Sequence, residues 1–260
     1  MVIFLLVFLG IAVGMLVHMY KEAQTDRVII NKLFFSDFPK SFGEVTIFFI
    51  SDIHHRKVSQ QIIEQVKGKA DLIVIGGDLA EKGVSMSRIK ENLLKLKDLG
   101  PVYFVWGNND YETDSHELDA LLLDLGIKIL DNTAVKFESD SGEELVMLGV
   151  DDVGLERDRL DLALADAGDN GFRVLISHNP VIFKKIDQNN RIRLVISGHT
   201  HGGQIRIFGF GPYELGGIKE HGNTTVLTSN GYGTTKIPLR LGAPAQTHLI
   251  TLSHSERRES

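Results

Sequence analysis

The sequence predicts an α/β domain that follows an N-terminal transmembrane helix. Two observations predict the domain: short apolar runs rich in β-branched and aromatic residues, and amphipathic stretches of helical spacing between them. A third observation, the apolar character of the first 20 residues, predicts the helix. With 260 residues, of which 43% are hydrophobic and 24% charged, the chain is long enough to bury a sizeable core.

The N-terminal run from Val2 to Tyr20 is apolar apart from glycines and one histidine. Such a run is just long enough to cross a hydrocarbon core of roughly 30 Å as a helix. No Lys or Arg precedes it and no small-residue cleavage site follows it, so an uncleaved anchor over residues 1–20 is favoured over a signal peptide. Because Lys21, Arg27 and Lys32 follow the run, we expect a single-pass cell-membrane protein with a cytoplasmic domain.

The rest of the chain reads as one catalytic domain. Residues 21–44 are predicted to connect the anchor to a domain over 45–252, and 253–260 form a polar tail. The near-continuous apolar runs predict buried strands at 45–50, 71–77, 101–107, 145–150, 172–178 and 192–198. Shorter, Gly-bounded and more alternating runs predict antiparallel strands in GGQIRIFGF, TTVLTSNGYG and QTHLITL.

Composition excludes several kinds of chemistry. The chain has no cysteine, which rules out disulfides, thiolate catalysis and cysteine-ligated metals. Its net charge is −6, from 34 acidic and 28 basic residues, and this balance gives no footprint for a nucleic-acid backbone.

Five of the predicted strands end in side chains with oxygen or nitrogen donors. In chain order these donors are Asp52, His54, Asp78, Asn108, His178, His199 and His201. Ligands of open α/β sheets bind outside the carboxyl ends of the strands, so we expect the seven side chains to converge on one site. On an extended segment the rings of His199 and His201 point to the same side, and each can reach a different ion.

Singly, each of these residues has an ordinary structural explanation, since aspartate caps helices and asparagine forms turns. Together, with glycines flanking three of the strand ends, they favour a metal site. Carboxylate, imidazole and amide donors without sulfur favour Mn²⁺, with Fe or Zn²⁺ as alternatives. Seven donors fit two ions when one carboxylate bridges, and such a pair clamps the oxygens of a phosphoryl group.

The motifs SDIHH, GGDLAEKG, GNND, SHNP and GHTHGGQ follow one another along the chain. With them, residues 45–252 resemble the calcineurin-like metallophosphoesterase superfamily. The stretch TSNGYGTTKIPLRLGAPAQTHLITL is similar to a membrane-associated bacterial branch that includes phosphoesterases and UDP-diacylglucosamine pyrophosphohydrolases. The resemblance implies an α/β fold of two mixed β-sheets packed as a sandwich and flanked by helices.

The resemblance also implies roles for the candidate residues. One ion is held by Asp52, His54, Asp78 and His201, and the other by Asp78, Asn108, His178 and His199. Asp78 is then the bridging carboxylate, a metal-bridging hydroxide is the nucleophile, and Asp110 orients the catalytic residue beside it.

Asn109 stands where many members of the superfamily have a catalytic histidine. An amide donates a hydrogen bond to a phosphoryl oxygen but is no general acid near neutral pH. We therefore expect a substrate with a good leaving group, as in an activated phosphodiester or a pyrophosphate. His55 is the alternative proton donor, although the simpler interpretation is that His55 is an ordinary loop residue.

The sequence thus predicts a membrane-anchored dinuclear-metal phosphohydrolase, and the anchor favours a lipid-linked substrate. A phosphodiesterase of soluble nucleotides and a metal-holding binding protein without activity are the alternatives. Two features stay open. Phe208, Phe210, Pro212 and Tyr213 either line the substrate or pack as a hairpin, and Arg240 either forms a structural ion pair or contacts phosphate.

Overall fold

The structure, a computed structural model, describes residues 1–255 and places five α-helices and twelve β-strands in that part of the chain. The helices are α1 (Val2–Ala23), α2 (Gln60–Val66), α3 (Met86–Lys97), α4 (Ser115–Asp124) and α5 (Leu160–Ala167). The strands are β1 (Val28–Phe35), β2 (Glu44–Ile50), β3 (Leu72–Ile75), β4 (Val102–Phe104), β5 (Lys128–Ile129), β6 (Thr133–Glu138), β7 (Glu144–Gly149), β8 (Phe172–Ile176), β9 (Ile192–Ser197), β10 (Gly217–His221), β11 (Thr224–Thr228) and β12 (Thr247–His254). Short 3₁₀ helices lie at Lys40–Phe42, Asn108–Glu112, Pro180–Lys185, Gln188–Asn190 and His201–Gly203.

The strands form two mixed sheets of six. The first sheet has the order β1-β12-β2-β3-β4-β5, in which β12 pairs antiparallel with β2 and the strands from β2 to β5 are parallel. The second sheet has the order β10-β11-β9-β8-β7-β6, with four parallel central strands and an antiparallel strand at each edge. The predicted α/β class with two mixed sheets is confirmed.

The apolar runs are continuous because both faces of each sheet are covered. In β2, Ile47 and Phe49 belong to the core cluster that both sheets share, together with Val174 and Met147 of the second sheet. Alternate residues of β2, such as Phe48, face the opposite way into a cluster with α2, α3 and α4. A third cluster joins the outer face of the second sheet to α5. Burial on both faces therefore explains why these strands lack alternation.

The structure differs from the predicted elements at several places. The predicted antiparallel strands in TTVLTSNGYG and QTHLITL form as β11 and β12, but β11 also pairs parallel with β9 and β12 parallel with β1. The stretch GGQIRIFGF contains isolated bridges and a tight turn instead of a strand. The predicted connecting segment contains β1, which pairs with β12 along its whole length. Of the predicted polar tail, residues 253 and 254 belong to β12, and residues 256–260 lie outside the described part of the chain.

Helix α1 has the length and composition of a membrane span, with a mean hydropathy of 2.7 over its most apolar window. Its side chains are exposed except near its C-terminal end, where Met19 and Ala23 are buried against the domain. The Arg240 N–H donates to the Met19 carbonyl at 3.1 Å. The Arg56 guanidinium donates to the carbonyls of Gln24 and Thr25 just beyond the helix. The helix therefore joins the domain through direct contacts.

Candidate metal centre

The structure brings the carboxyl ends of the predicted strands together at one edge of the two sheets. The Asp52 N–H donates to the Gly77 carbonyl at 3.0 Å, which ties the end of β2 to the end of β3. The Gly198 N–H donates to the His178 carbonyl at 3.0 Å, which ties β9 to β8. The two sheets meet where the His199 N–H donates to Asp52 Oδ1, also at 3.0 Å.

Six of the seven predicted ligands fall into two clusters of donor atoms. In each cluster the donor atoms lie within 4.8 Å of one another. The first group is Asp52, His54 and His201, and the second group is Asp78, His178 and His199. The two histidines of GHTHGGQ thus belong to different groups, as expected. They do not do so from an extended segment, because both have a left-handed backbone and His201 begins a 3₁₀ turn.

Asp78 lies between the two groups. Its Oδ2 is 3.2 Å from His178 Nε2 and 3.7 Å from His54 Nε2. In the second group, His199 Nδ1 lies 3.2 Å from His178 Nε2. In the first group, His201 Nε2 lies 3.2 Å from His54 Nε2 and 3.3 Å from Asp52 Oδ1. One carboxylate oxygen therefore has a histidine of each group as a neighbour.

The donors fit a pair of divalent cations. Asp52, His54, Asp78 and His178 have at most 1% of their surface exposed, and none of these groups is placed by apolar packing alone. Asn108 Oδ1 is buried and has no hydrogen-bond partner within residues 1–255. A buried amide oxygen without a partner is costly, and a cation would satisfy it. In each group two histidine ring nitrogens also face each other at 3.2 Å, a spacing that one shared cation could bridge.

The backbone at the site is strained. Five predicted ligands have a left-handed conformation, with φ between 50° and 70°: Asp52, His54, Asp78, His199 and His201. Non-glycine residues rarely adopt this region, and such residues cluster at functional sites. Neighbouring glycines leave the room that this packing needs. A Cβ on Gly198 would lie 2.4 Å from Asp52 Oδ2, and one on Gly107 would lie 2.3 Å from Asp78 Oδ1.

The electrostatics of the two groups differ. Burial lowers the pKa of His178, but the Asp78 carboxylate, together with Asp52 and the Gly76 carbonyl, raises that pKa to about 10. Burial lowers the pKa of His201 to about 3, since the opposing effect of Asp52 is smaller and His54 and Arg240 add positive charge. The protonated form is therefore favoured for His178, beside Asp78, whereas the neutral form is favoured for His201.

Asp110 connects the loops that carry the ligands. Its fully buried carboxylate accepts hydrogen bonds from the N–H groups of Gly107, Asp78 and Ala80, each at 2.9 Å. Burial and the nearby Asp78 raise its pKa to about 7, against the lowering effect of these donors. Asp110 thus holds the loop after β4 against the loop after β3.

Asn109 contacts the shared carboxylate. Its backbone N–H donates to Asp78 Oδ1 at 2.9 Å and its side-chain Nδ2 donates to Asp78 Oδ2 at 2.6 Å. His55, the alternative proton donor, is paired through Nε2 with Glu81 Oε1 at 2.7 Å and is half exposed. The other oxygen of Glu81 lies 3.0 Å from Nδ1 of the predicted ligand His54, outside hydrogen-bond geometry.

Two acidic residues near the site are absent from the sequence-based set. Glu81, three residues after Asp78 in GGDLAEKG, places a carboxylate oxygen 3.0 Å from His54 Nδ1, within ion-pair distance. Asp152 follows β7, is fully buried, and has one oxygen without a hydrogen-bond partner in the described chain. Burial raises the pKa of Asp152, whereas His178 and His199 lower it. The rule that donors follow the ends of strands would have found Asp152, because it lies three residues after the end of β7 at Gly149.

A groove of about 630 Å³ begins at the predicted ligand His199. Its walls are largely apolar and include Phe183, Tyr213 and Leu215. Lys184 adds a positive charge, and the ion pair of Lys219 with Glu214 also lines the groove. Phe208 and Phe210 are not among the described residues that line it. A cavity of about 690 Å³ elsewhere is larger, but no predicted ligand lines it.

Arg240 is fully buried and contacts no open surface. Its guanidinium donates seven hydrogen bonds to six acceptors near the site, including the His201 carbonyl and His201 Nδ1, both at 3.1 Å. Burial lowers its pKa to about 10 despite the favourable charge of Asp52, so it stays protonated at neutral pH. Of the two readings that the sequence left open, the structure supports a structural role.

Comparison with known proteins identifies the class. Residues 45–203 match the calcineurin-like phosphoesterase family, which is more than half of the chain. The chain is also 43% identical over 247 residues to YpbG of Bacillus subtilis (strain 168), with 94% of this chain and 95% of that protein covered. The chain therefore belongs to the calcineurin-like phosphoesterase family, and it is a metal-dependent phosphoric-ester hydrolase by membership of that family.

Two further relatives are informative. A Danio rerio transmembrane protein with a metallophosphoesterase domain is 30% identical over 256 residues, which are 90% of this chain but 59% of that protein. The phosphodiesterase YaeI of Escherichia coli (strain K12) is 26% identical over 252 residues and is 90% covered, as is this chain. Together with α1, the first likeness suggests a membrane protein.

Proposed function

We propose that the protein is a membrane-anchored phosphohydrolase that uses two divalent ions, Mn²⁺ foremost, to cleave phosphodiester or pyrophosphate bonds. The observation that carries this proposal is the position of Asp78 between two groups of buried donors. The phosphodiesterase name of one relative supports the diester class.

Each site residue has a proposed task. Asp52, His54 and His201 hold one ion, Asn108, His178 and His199 hold the other, and Asp78 contacts both. When bound, the ions would supply Lewis acidity that lowers the pKa of water and offsets charge on phosphoryl oxygens. Asp110 fixes the relative position of the two ligand loops, and Asn109 holds the Asp78 carboxylate through two N–H groups.

The site favours a substrate with a good leaving group. The Asn109 amide has no proton to give near neutral pH, and the His55 ring is paired with Glu81. A poor alkoxide leaving group needs a proton, whereas a phosphate or an aryl oxide departs without one.

The anchor and the groove support a lipid-linked substrate. We propose that residues 1–20 anchor the chain in the cell membrane, that residues 21–44 lead to the catalytic domain over 45–252, and that the domain is cytoplasmic, as Lys21, Arg27 and Lys32 favour. The groove at His199 offers apolar walls for a lipid chain and Lys184 for a headgroup phosphate.

The test uses the full chain in detergent, loaded with Mn²⁺. We expect turnover of bis-p-nitrophenyl phosphate to exceed that of an alkyl phosphomonoester, because the aryl oxide leaves unprotonated. Asp78→Ala should abolish turnover, and the matched variant Asp161→Ala, at an exposed residue paired with Arg159, should retain it. No turnover despite two bound ions would identify a metal-holding protein without activity.

The substrate class needs a second comparison. A diacyl lipid with a pyrophosphate-linked headgroup, in mixed micelles, is compared with a soluble nucleotide pyrophosphate. Higher kcat/KM for the lipid supports the lipid-linked class. Higher kcat/KM for the nucleotide would replace that class and leave the chemistry intact.

A further inference from the structure

The turn at Ile207–Phe210, here named the aromatic hairpin, displays large apolar side chains to the outside. The exposed fractions are 96% for Phe208, 82% for Phe210 and 62% for Ile207. Single exposed apolar residues are common on soluble proteins, but a contiguous group marks an interaction surface. The described residues thus provide no packing for these rings, contrary to the packed hairpin that the sequence left open.

The backbone of the aromatic hairpin is strained to present Phe208. Ile207 and Phe210 exchange two backbone hydrogen bonds of 2.9 Å, with Phe208 and Gly209 between them at φ of 52° and 84°. Turns with two such residues prefer Asn or Gly at the first position. A phenylalanine there has unfavourable backbone geometry, and the described contacts give no compensation.

The aromatic hairpin lies next to the C-terminal end of α1. The Arg206 N–H donates to the Leu241 carbonyl at 2.7 Å, and the neighbouring Arg240 N–H donates to Met19 in the last turns of the helix. Arg206, at the start of the hairpin, is therefore connected to Met19 of α1 through Leu241 and Arg240. Met19 lies one residue before the apolar run ends, so this connection reaches α1 near the end of the predicted membrane span.

The aromatic hairpin is also fixed to the metal centre. The Arg206 guanidinium donates to the Gly209 carbonyl at 2.6 Å and to the Gly202 carbonyl at 2.9 Å, directly after the ligand His201. A second exposed apolar residue, Ile237, is held at the same place, because Gln204 Nε2 donates to its carbonyl at 3.2 Å. These hydrogen bonds hold the hairpin in a fixed position relative to the candidate metal centre.

We propose that the aromatic hairpin inserts into the bilayer that α1 spans and seats the metal centre against the lipid surface. This inference rests on the membrane anchor of the proposed function. Three observations favour lipid as the partner: continuity with an apolar helix, exposed phenylalanines, and the absence of acidic residues from Ile205 to Tyr213. Phenyl rings at such a boundary bury about 5–10 Å into the interface.

The experiment uses the lack of cysteine in the chain. The full chain with Phe208→Cys is labelled with an environment-sensitive fluorophore and reconstituted in phosphatidylcholine vesicles, with or without brominated acyl chains. Val17→Cys, in α1, reports the anchor itself. Leu123→Cys is the matched control, because this leucine is 61% exposed on α4, beside β5 and at the sheet edge opposite β1.

We expect brominated lipid to quench most of the fluorescence at positions 17 and 208 and to leave position 123 unaffected. Quenching at position 17 alone would overturn the inference and preserve the anchor; the hairpin would then face a protein partner. Quenching at neither position would overturn both the inference and the anchoring.

A functional readout separates this inference from the proposed chemistry. In the double variant Phe208→Ser/Phe210→Ser, hydrolysis of a vesicle-borne pyrophosphate lipid should fall about tenfold, since two apolar contacts with lipid are lost. Turnover of soluble bis-p-nitrophenyl phosphate should stay unchanged. Equal hydrolysis of the vesicle-borne lipid by variant and wild type would contradict the inference. If the wild type itself did not hydrolyse soluble bis-p-nitrophenyl phosphate, the proposed function would be contradicted instead.

Discussion

The predicted ligands are positioned by strained backbone as much as by their side chains. Left-handed residues such as Asp52 and Asp78 each cost roughly 1–3 kcal/mol. Folding maintains them through contacts such as those of Asp110, which accepts from the N–H groups of three loop residues. The strained backbone of the predicted ligands thus lowers the free energy of unfolding of the whole protein.

Replacement of Gly198 by alanine should damage the first ligand group. The new Cβ would overlap the Asp52 carboxylate and the Ser51 hydroxyl, both at 2.4 Å. We expect Mn²⁺ affinity to fall about 10–100-fold, as when a supporting contact of a ligand is lost. The free energy of unfolding should fall by about 1–3 kcal/mol from overpacking. Calorimetric titration and urea unfolding measure the two effects.

The matched control is Gly217→Ala, because a Cβ at this exposed position meets no atom within 4 Å. It should leave both quantities unchanged. Equal metal affinity in Gly198→Ala and wild type would show that Asp52 is not a ligand in this position.

Asn109 tests the leaving-group argument. Asn109→His supplies a group that can protonate an alkoxide, and general acids contribute roughly 10²–10⁴-fold to such steps. We expect the kcat/KM of an alkyl phosphomonoester to rise at least about tenfold relative to that of bis-p-nitrophenyl phosphate. Asn109→Gln keeps an amide and should give no such rise. If Asn109→His leaves alkyl turnover unchanged, the preference for good leaving groups has another cause.

The sequence alone predicts most of the candidate site because donors at strand ends follow one rule of α/β sheets. It does not predict Glu81, which lies within a loop and reaches His54 only through the left-handed turn after Asp78. It also does not predict the orientation of Asn109, which depends on the tertiary contact with Asp78.

At the scale of elements, strands buried on both faces were predictable and the others were not. The six apolar runs correspond to β2, β3, β4, β7, β8 and β9. Edge strands carry mixed patterns: β6 has no buried residue, and β1 leaves Ile30 and Phe34 exposed. The predicted strand in GGQIRIFGF was wrong, because Arg206 binds the carbonyls of Gly202 and Gly209 and forces a turn.

The pairing of β12 with β1 makes a pH-dependent contribution to stability. His248 on β12 is 3% exposed and contacts Asn31 of β1 at 2.9 Å. Burial, with a smaller effect of Arg27, lowers its pKa from 6.5 to about 4. Between these values the unfolded chain binds a proton that the folded chain does not. Stability from this residue is therefore complete above pH 6.5 and is lost as the pH falls towards 4.

His248→Gln should remove this dependence, since glutamine does not titrate and can still donate to Asn31. Wild type should lose up to about 3 kcal/mol more than the variant between pH 7.5 and pH 4, at 1.36 kcal/mol per pKa unit. Urea unfolding of both proteins at several pH values measures the difference. Parallel curves for the two proteins would contradict a neutral buried His248.

At the scale of the whole molecule, Arg240 links α1, the candidate metal centre and the loop before the final strand. Its backbone N–H binds Met19 of α1, and its buried guanidinium binds the carbonyl groups of His201 and Ala243. Removing a partner from a buried charge is strongly destabilising. These hydrogen bonds therefore hold Arg240 and the segments that it contacts in fixed positions. The orientation of the domain relative to α1 is therefore set by the fold.

The central claim is that the donors around Asp78 hold two ions that the enzyme needs for phosphodiester hydrolysis. The most direct test removes all metal from the full chain with a chelator and adds Mn²⁺ back in steps. Bound metal and turnover of bis-p-nitrophenyl phosphate are measured at each step. We predict that turnover reaches its maximum at two ions per chain and stays absent in Asp78→Ala. Full turnover with one ion or none would contradict the claim.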